Sequence, residues 1–185
     1  MAFDPSRYGE TIENILALDG GGNRLLPLVC EGCSSQAARA ALKRANARDL
    51  FPAGAAPEAA MSGLWLYFSC FDECHGICQD LPSAEGSYWH AILHRQEPDA
   101  WNSGYWFRRV GDHAIFPALL EAAREIATAR PDAGLRIGSR WDPIQFIEFC
   151  DKARQQPGSP AFDAAREVQR AEWQLLFDHC ARPQS

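Results

Sequence analysis

Strict alternation of apolar and polar residues is almost missing from these 185 residues, and with it the signature of half-buried β-strands. No run of about 18 apolar residues occurs, so no membrane-spanning helix is expected. Lys and Arg never gather into a basic block, the net charge is −6 and the pI is near 5.3. A surface that tracks phosphates needs a cationic stripe, so nucleic acid is excluded as the expected partner. The opening MAFDPSRYGETIENILALDGGG has neither a basic n-region nor an apolar h-region, which predicts no secretory leader and a cytoplasmic location. Within it, DGGGN at Asp19 to Asn23 lacks the strand, spacing and lysine of a phosphate loop and predicts a turn. One CxxC occurs, CEGC at Cys30 and Cys33, with no second pair to complete a structural zinc site. A redox role for it lacks the βαβ context such motifs keep. The seven cysteines are odd in number and fall at helical spacings, which suits reduced, mostly buried thiols. Cys70, Cys74 and Cys78 read as small core residues.

What is present is helical. The length suits one domain, with apolar residues at 46% and charged residues at 23%, the usual globular balance. Residues 1–33 are expected to be largely irregular beyond a short helix begun near Thr11. Ser34 or Ser35 predicts the start of a helix that Pro52 closes, and Pro57 that of a long helix reaching Gln79. Shorter helices are expected over Tyr88–Gln96 and Trp101–Val110, and another from Pro117 to about Ala129. Asp142 with Pro143, and Ser159 with Pro160, mark two further starts. The expected fold is a single all-α domain over 1–185, an irregular bundle of six to eight helices. No sequence feature sets the oligomeric state.

The segment from Tyr88 to His113, YWHAILHRQEPDAWNSGYWFRRVGDH, concentrates three of the five histidines, three of the six tryptophans and three of the sixteen arginines. At 100° per residue His90, His94 and Glu97 lie within about 60° of one another on a helix. On the helix before it, Trp65, Phe68, Asp72, His75 and Gln79 form a stripe that a short connection can bring opposite His90 and His94. Two histidines at i and i+4 direct their nitrogens to one point, and a third from a neighbouring helix completes a divalent metal site. His75, His90 and His94, with Asp72 or Glu97, are therefore the candidate metal set, although HAILH lacks the glutamate that marks the zinc-protease helix.

Without a metal, Asp72 with His75, or His94 with Glu97, is the candidate acid–base pair. Arg108 and Arg109, beside Tyr105 and Trp106, are candidates to grip a small anionic ligand, unless they pair with Glu97, Asp99 or Asp112. Together these residues predict a small-molecule or enzyme-like pocket. The rival expectation is a buried polar network of the same residues that fixes helix register.

The pattern H-x-x-x-H-R-x-E followed by Y-W-F-R-R-V-G, with GLWLYFSCFDECHGICQDL upstream, resembles a family of bacterial proteins for which no activity is established. The resemblance covers the middle third of the chain and implies that His90, His94, Arg95, Glu97, Trp106, Arg108 and Arg109 are the positions to test. Cysteine is not part of that family pattern.

Overall fold

Cap residues set where the helices begin. In the computed structural model, which describes residues 3–183, ten α-helices and three 3-10 turns form, with no strand among these residues. The first and last two residues of the expected domain lie outside the described residues. α1 (Glu10–Ala17) ends before a glycine turn at Gly20–Gly22. The side chains of Ser35 and Asn46 accept backbone N–H groups to start α2 (Gln36–Leu42) and α3 (Ala47–Leu50). α4 (Pro57–Tyr67) opens on a proline, whose missing N–H costs nothing in a first turn. α5 (Phe71–Cys78) follows closely. Ser83 caps α6 (Ala84–Gln96) and Asp99 caps α7 (Ala100–Val110), each with a side-chain oxygen on an N3 amide. After α8 (Phe116–Ala129), Asp142 starts α9 (Pro143–Ala153) and Ser159 starts α10 (Pro160–Ala181).

The count exceeds six to eight because two expected helices are each broken in two. The helix predicted to run from Ser34 to Pro52 stops at Leu42, and Asn46 caps a new one by accepting from the Arg48 N–H. The helix predicted from Pro57 to Gln79 stops at Tyr67, where Ser69 adopts the left-handed conformation with φ 55°. Here the irregular N-terminal segment satisfies the carbonyls a helix end leaves open. Arg24 donates to the Tyr67 carbonyl and to Ser69 Oγ, and the Ser34 N–H donates to the Phe68 carbonyl at 2.7 Å.

The same junction corrects the expectation of reduced thiols. Cys33 forms a disulfide with Cys70, leaving Cys30 and Cys33 unpaired with each other. Cys70 is thus a cross-link between the N-terminal segment and the start of α5, while Cys74 and Cys78 are buried among apolar side chains as expected.

Two apolar clusters share α10. The larger takes Trp173, Leu176 and Phe177 against α1, α4, α5 and α6; the smaller takes Ala165 and Val168 against α8 and α9. Between them lies a buried polar network. Arg95 of α6 pairs with Glu172 of α10, both essentially without solvent contact. Tyr88 donates to Glu172 Oε1 at 3.0 Å, and Arg95 also donates to Gln169 Oε1 at 3.2 Å. The Arg95 guanidinium lies over the Phe146 ring. Gln169 in turn donates to the Pro27 carbonyl at 2.9 Å, and Arg154 donates to the carbonyls of Leu28 and Arg95 at 3.1 and 3.0 Å. The irregular stretch before α2 is thus held by side chains of α9 and α10. Burial alone would lower the Arg95 pKa, but Glu172 beside it outweighs that and raises it. Burial, reinforced by Glu172, drives the Tyr88 phenol well above its usual range.

Two outcomes follow from this packing. Glu172→Gln strands a buried guanidinium and should cost about 3–5 kcal/mol in urea unfolding, whereas Arg95→Met with Glu172→Leu should cost far less, because neither charge is then left alone. Thiol titration of unreduced, denatured protein should count five groups, the free cysteines of the fold, and seven after reduction. Seven before reduction would remove the cross-link.

Candidate functional site

α5 and α6 pack side by side and bring three imidazoles together. His90 and His94, one turn apart on α6, have ring centroids 4.7 Å apart and nearly parallel planes. His75 of α5 meets both edge-on, at 4.7 Å from His90 and 5.9 Å from His94. One ligating nitrogen from each ring lies within 4.8 Å of one on each of the others. The predicted metal set is thus assembled, even though the long helix meant to carry His75 is broken.

The surroundings differ from ring to ring. His90 is 3% exposed, and neither of its nitrogens has a hydrogen-bond partner among the described residues. Burial, with His94 and His75 nearby, pushes its pKa down to about 4. His94 Nδ1 lies 3.0 Å from Glu97 Oε2. A carboxylate there fixes the tautomer with hydrogen on Nδ1 and leaves Nε2 with its lone pair. Glu97 holds this position although it follows the last helical residue of α6, so Pro98 ends the helix without displacing it.

Asp72 is the residue that does not arrive. It is exposed in the first turn of α5 and belongs to no group with the histidines. The break at Ser69 separates Trp65 and Phe68 from the rest of the predicted stripe, but Asp72 and His75 share α5, so Asp72 lies one turn before His75 on the same helix and stays in solvent. No Asp72–His75 pair forms among the described residues, while the His94–Glu97 pair is present.

α7 supplies the rim. The Trp106 ring lies 4.1 Å from the His90 ring between centroids, and the Arg109 guanidinium sits 5.2 Å from Trp106 and 6.0 Å from Tyr105. Arg108 and Arg109 are both exposed. The acids that could have neutralised them are engaged elsewhere or apart from them: Glu97 with His94, Asp99 with Asn102 at the start of α7. A separate cleft over α9, lined by Arg136, Arg140, Trp141 and Lys152, includes none of the histidines.

The remaining two histidines also converge. His113, in the α7–α8 connection, and His179, in the last turn of α10, flank Glu85 in the first turn of α6. Nothing in their sequence spacing marks this group, because its members come from three elements far apart in the chain. Glu85 is held below the usual carboxylate range: burial opposes this, but its own backbone amide, Ser83 and the two imidazoles prevail. His113 is buried and its pKa is pushed down to about 4, by burial first and by His179 second, with Glu85 acting the other way.

No family model matches the chain, and neither a curated protein nor a solved structure is significantly similar to it.

Two imidazoles held neutral in the fold make its stability depend on pH. In the unfolded chain His90 and His113 protonate near the ordinary value of 6.5, whereas in the folded chain they resist until about 4. The unfolded state therefore binds more protons throughout that interval, and stability falls as pH drops from 6.5 towards 4. Chelator-treated protein should lose about 1–3 kcal/mol per histidine over this window. Urea midpoints at successive pH values measure this, and His90→Gln should flatten the slope.

Proposed function

We propose that the chain binds a divalent transition metal through His75, His90 and His94, at a centre whose remaining position faces a small anionic ligand. The carrying observation is the buried imidazole of His90, with both nitrogens unpartnered and two further imidazoles turned towards it. A buried polar group without a partner costs about 1–3 kcal/mol, and a shared cation can take one lone pair from each of the three imidazoles. Three histidines suit zinc and its first-row neighbours, and three protein ligands leave one coordination position open. A metal so held supplies Lewis acidity to a bound water or anion.

The chain's own residues fill the supporting roles. Glu97 orients His94 in the manner of a carboxylate behind a metal-bound histidine. Trp106 covers one face of His90 and excludes water from it. Arg109, stacked on Trp106, and the neighbouring Arg108 offer guanidinium groups to a carboxylate or phosphate. The unpartnered nitrogens of His90 favour this reading over a buried polar network of the same residues. The neighbouring network built on Arg95 and Glu172 pairs its charges directly, with Arg95 Nη1 left unpartnered.

Metal content of untagged protein, measured by elemental analysis beside His90→Ala/His94→Ala, tests the proposal. Loss of one equivalent of zinc or a neighbouring metal in the double variant, while its circular dichroism is retained, is the expected result. Glu97→Gln should weaken the affinity by about 10–100-fold without abolishing it. If the double variant keeps the full metal content, the three-histidine centre is wrong.

A further inference from the structure

We infer that Glu85, His113 and His179 form a second divalent transition-metal site, a clasp of two histidines and one carboxylate independent of the three-histidine centre. The Glu85 carboxylate lies 3.4 Å from His179 Nε2 and 3.9 Å from His113 Nε2. The two rings are 4.9 Å apart between centroids, and one ligating atom from each of the three residues lies within 4.8 Å of the others. His113 Nε2 is the second observation: its side chain is 3% exposed, and this nitrogen is buried with no hydrogen-bond partner. A donor set of two imidazoles and a carboxylate is one that zinc, and iron or cobalt in the divalent state, accept.

The placement also says what such an ion would hold together. It would join the start of α6, the α7–α8 connection and the end of α10, three segments that no disulfide links. Glu85 and His179 are partly buried and His113 is buried, so the site is more enclosed than one meant for turnover, and its role is structural. One contact opposes it. The Ile115 N–H donates to His113 Nδ1 at 3.3 Å, and a metal on Nε2 requires hydrogen on Nδ1, so binding must displace that long bond.

The test is zinc stoichiometry of chelator-stripped full-length protein, titrated against a chromophoric chelator so that only tight sites fill. The parent should bind two equivalents. His179→Gln and Glu85→Gln should each bind one, His94→Ala should bind one, and His94→Ala/His179→Gln none, with helical circular dichroism retained throughout. Zinc should raise the melting temperature of His94→Ala but not that of the double variant. If His179→Gln fails to fold, the near-isosteric Glu85→Gln decides the matter. Parent stoichiometry and affinity in Glu85→Gln overturn the inference, as does a single parental equivalent that His94→Ala removes, which leaves the three-histidine centre standing. A single equivalent lost only in Glu85→Gln and His179→Gln supports the clasp and removes that centre. No tight zinc in the parent removes both.

Discussion

Both histidine groups depend on the rotation of α6, and the buried pair of Arg95 with Glu172 is what fixes it. α6 is buried on almost all sides, so apolar packing alone discriminates poorly between its faces. A slip of one residue would turn it by 100°, taking Arg95 from Glu172 and Tyr88 with it. Both hydrogen-bond to the same carboxylate, about two turns apart along the helix, so they fix tilt as well as rotation. With that face committed to α10, His90 and His94 are left facing α5, and Glu85 at the start of the helix is left beside the last turn of α10. Polar specification of register is the role such pairs serve best, since as sources of stability they gain little over apolar substitutes.

Much of the fold was legible because helix starts are local. Ser35, Asp142 and Ser159 each accept an amide within three residues, and that geometry needs no knowledge of the rest of the chain; Ser83 and Asp99 cap in the same way, Ser83 starting α6 at Ala84, four residues before the expected Tyr88. The stops were less legible. No glycine or proline interrupts the run from Trp65 to Cys74, yet the helix ends there, because Arg24, Ser34 and Cys33 supply partners from a segment more than thirty residues earlier. Asn46, by contrast, was a readable cap hidden inside a strongly helical composition.

The site divides along the same line. His90 and His94 were legible from their spacing, and His75 from the short connection between helices. Asp72 shares α5 with His75 but stays exposed one turn earlier, which helical spacing alone does not reveal. The group of Glu85, His113 and His179 had no sequence signal at all: one member sits in a loop and the others at opposite ends of two helices. The expectation of reduced thiols fails at Cys33 and Cys70, whose disulfide joins segments far apart in the chain, and no described helix is long and apolar enough to cross a membrane.

The contrast between the two kinds of buried polar cluster bears on what the histidines are for. Around Arg95 the charge is matched, and the Glu172 carboxylate accepts from two side chains. Around His90 and His113, nitrogens that water would have satisfied are left without partners. Single orphaned groups occur elsewhere, Gln96 and Trp141 among them, so an unpartnered atom alone decides nothing. What distinguishes the histidines is convergence: all five in the chain fall into two groups whose ligating atoms face one another. Burial beside other imidazoles pushes the pKa of His90 and of His113 down, and it leaves both nitrogens of His90 and Nε2 of His113 without a hydrogen bond in return. Packing alone gives no reason for this arrangement, and the cation proposed for both places would give those nitrogens a partner that takes their lone pairs.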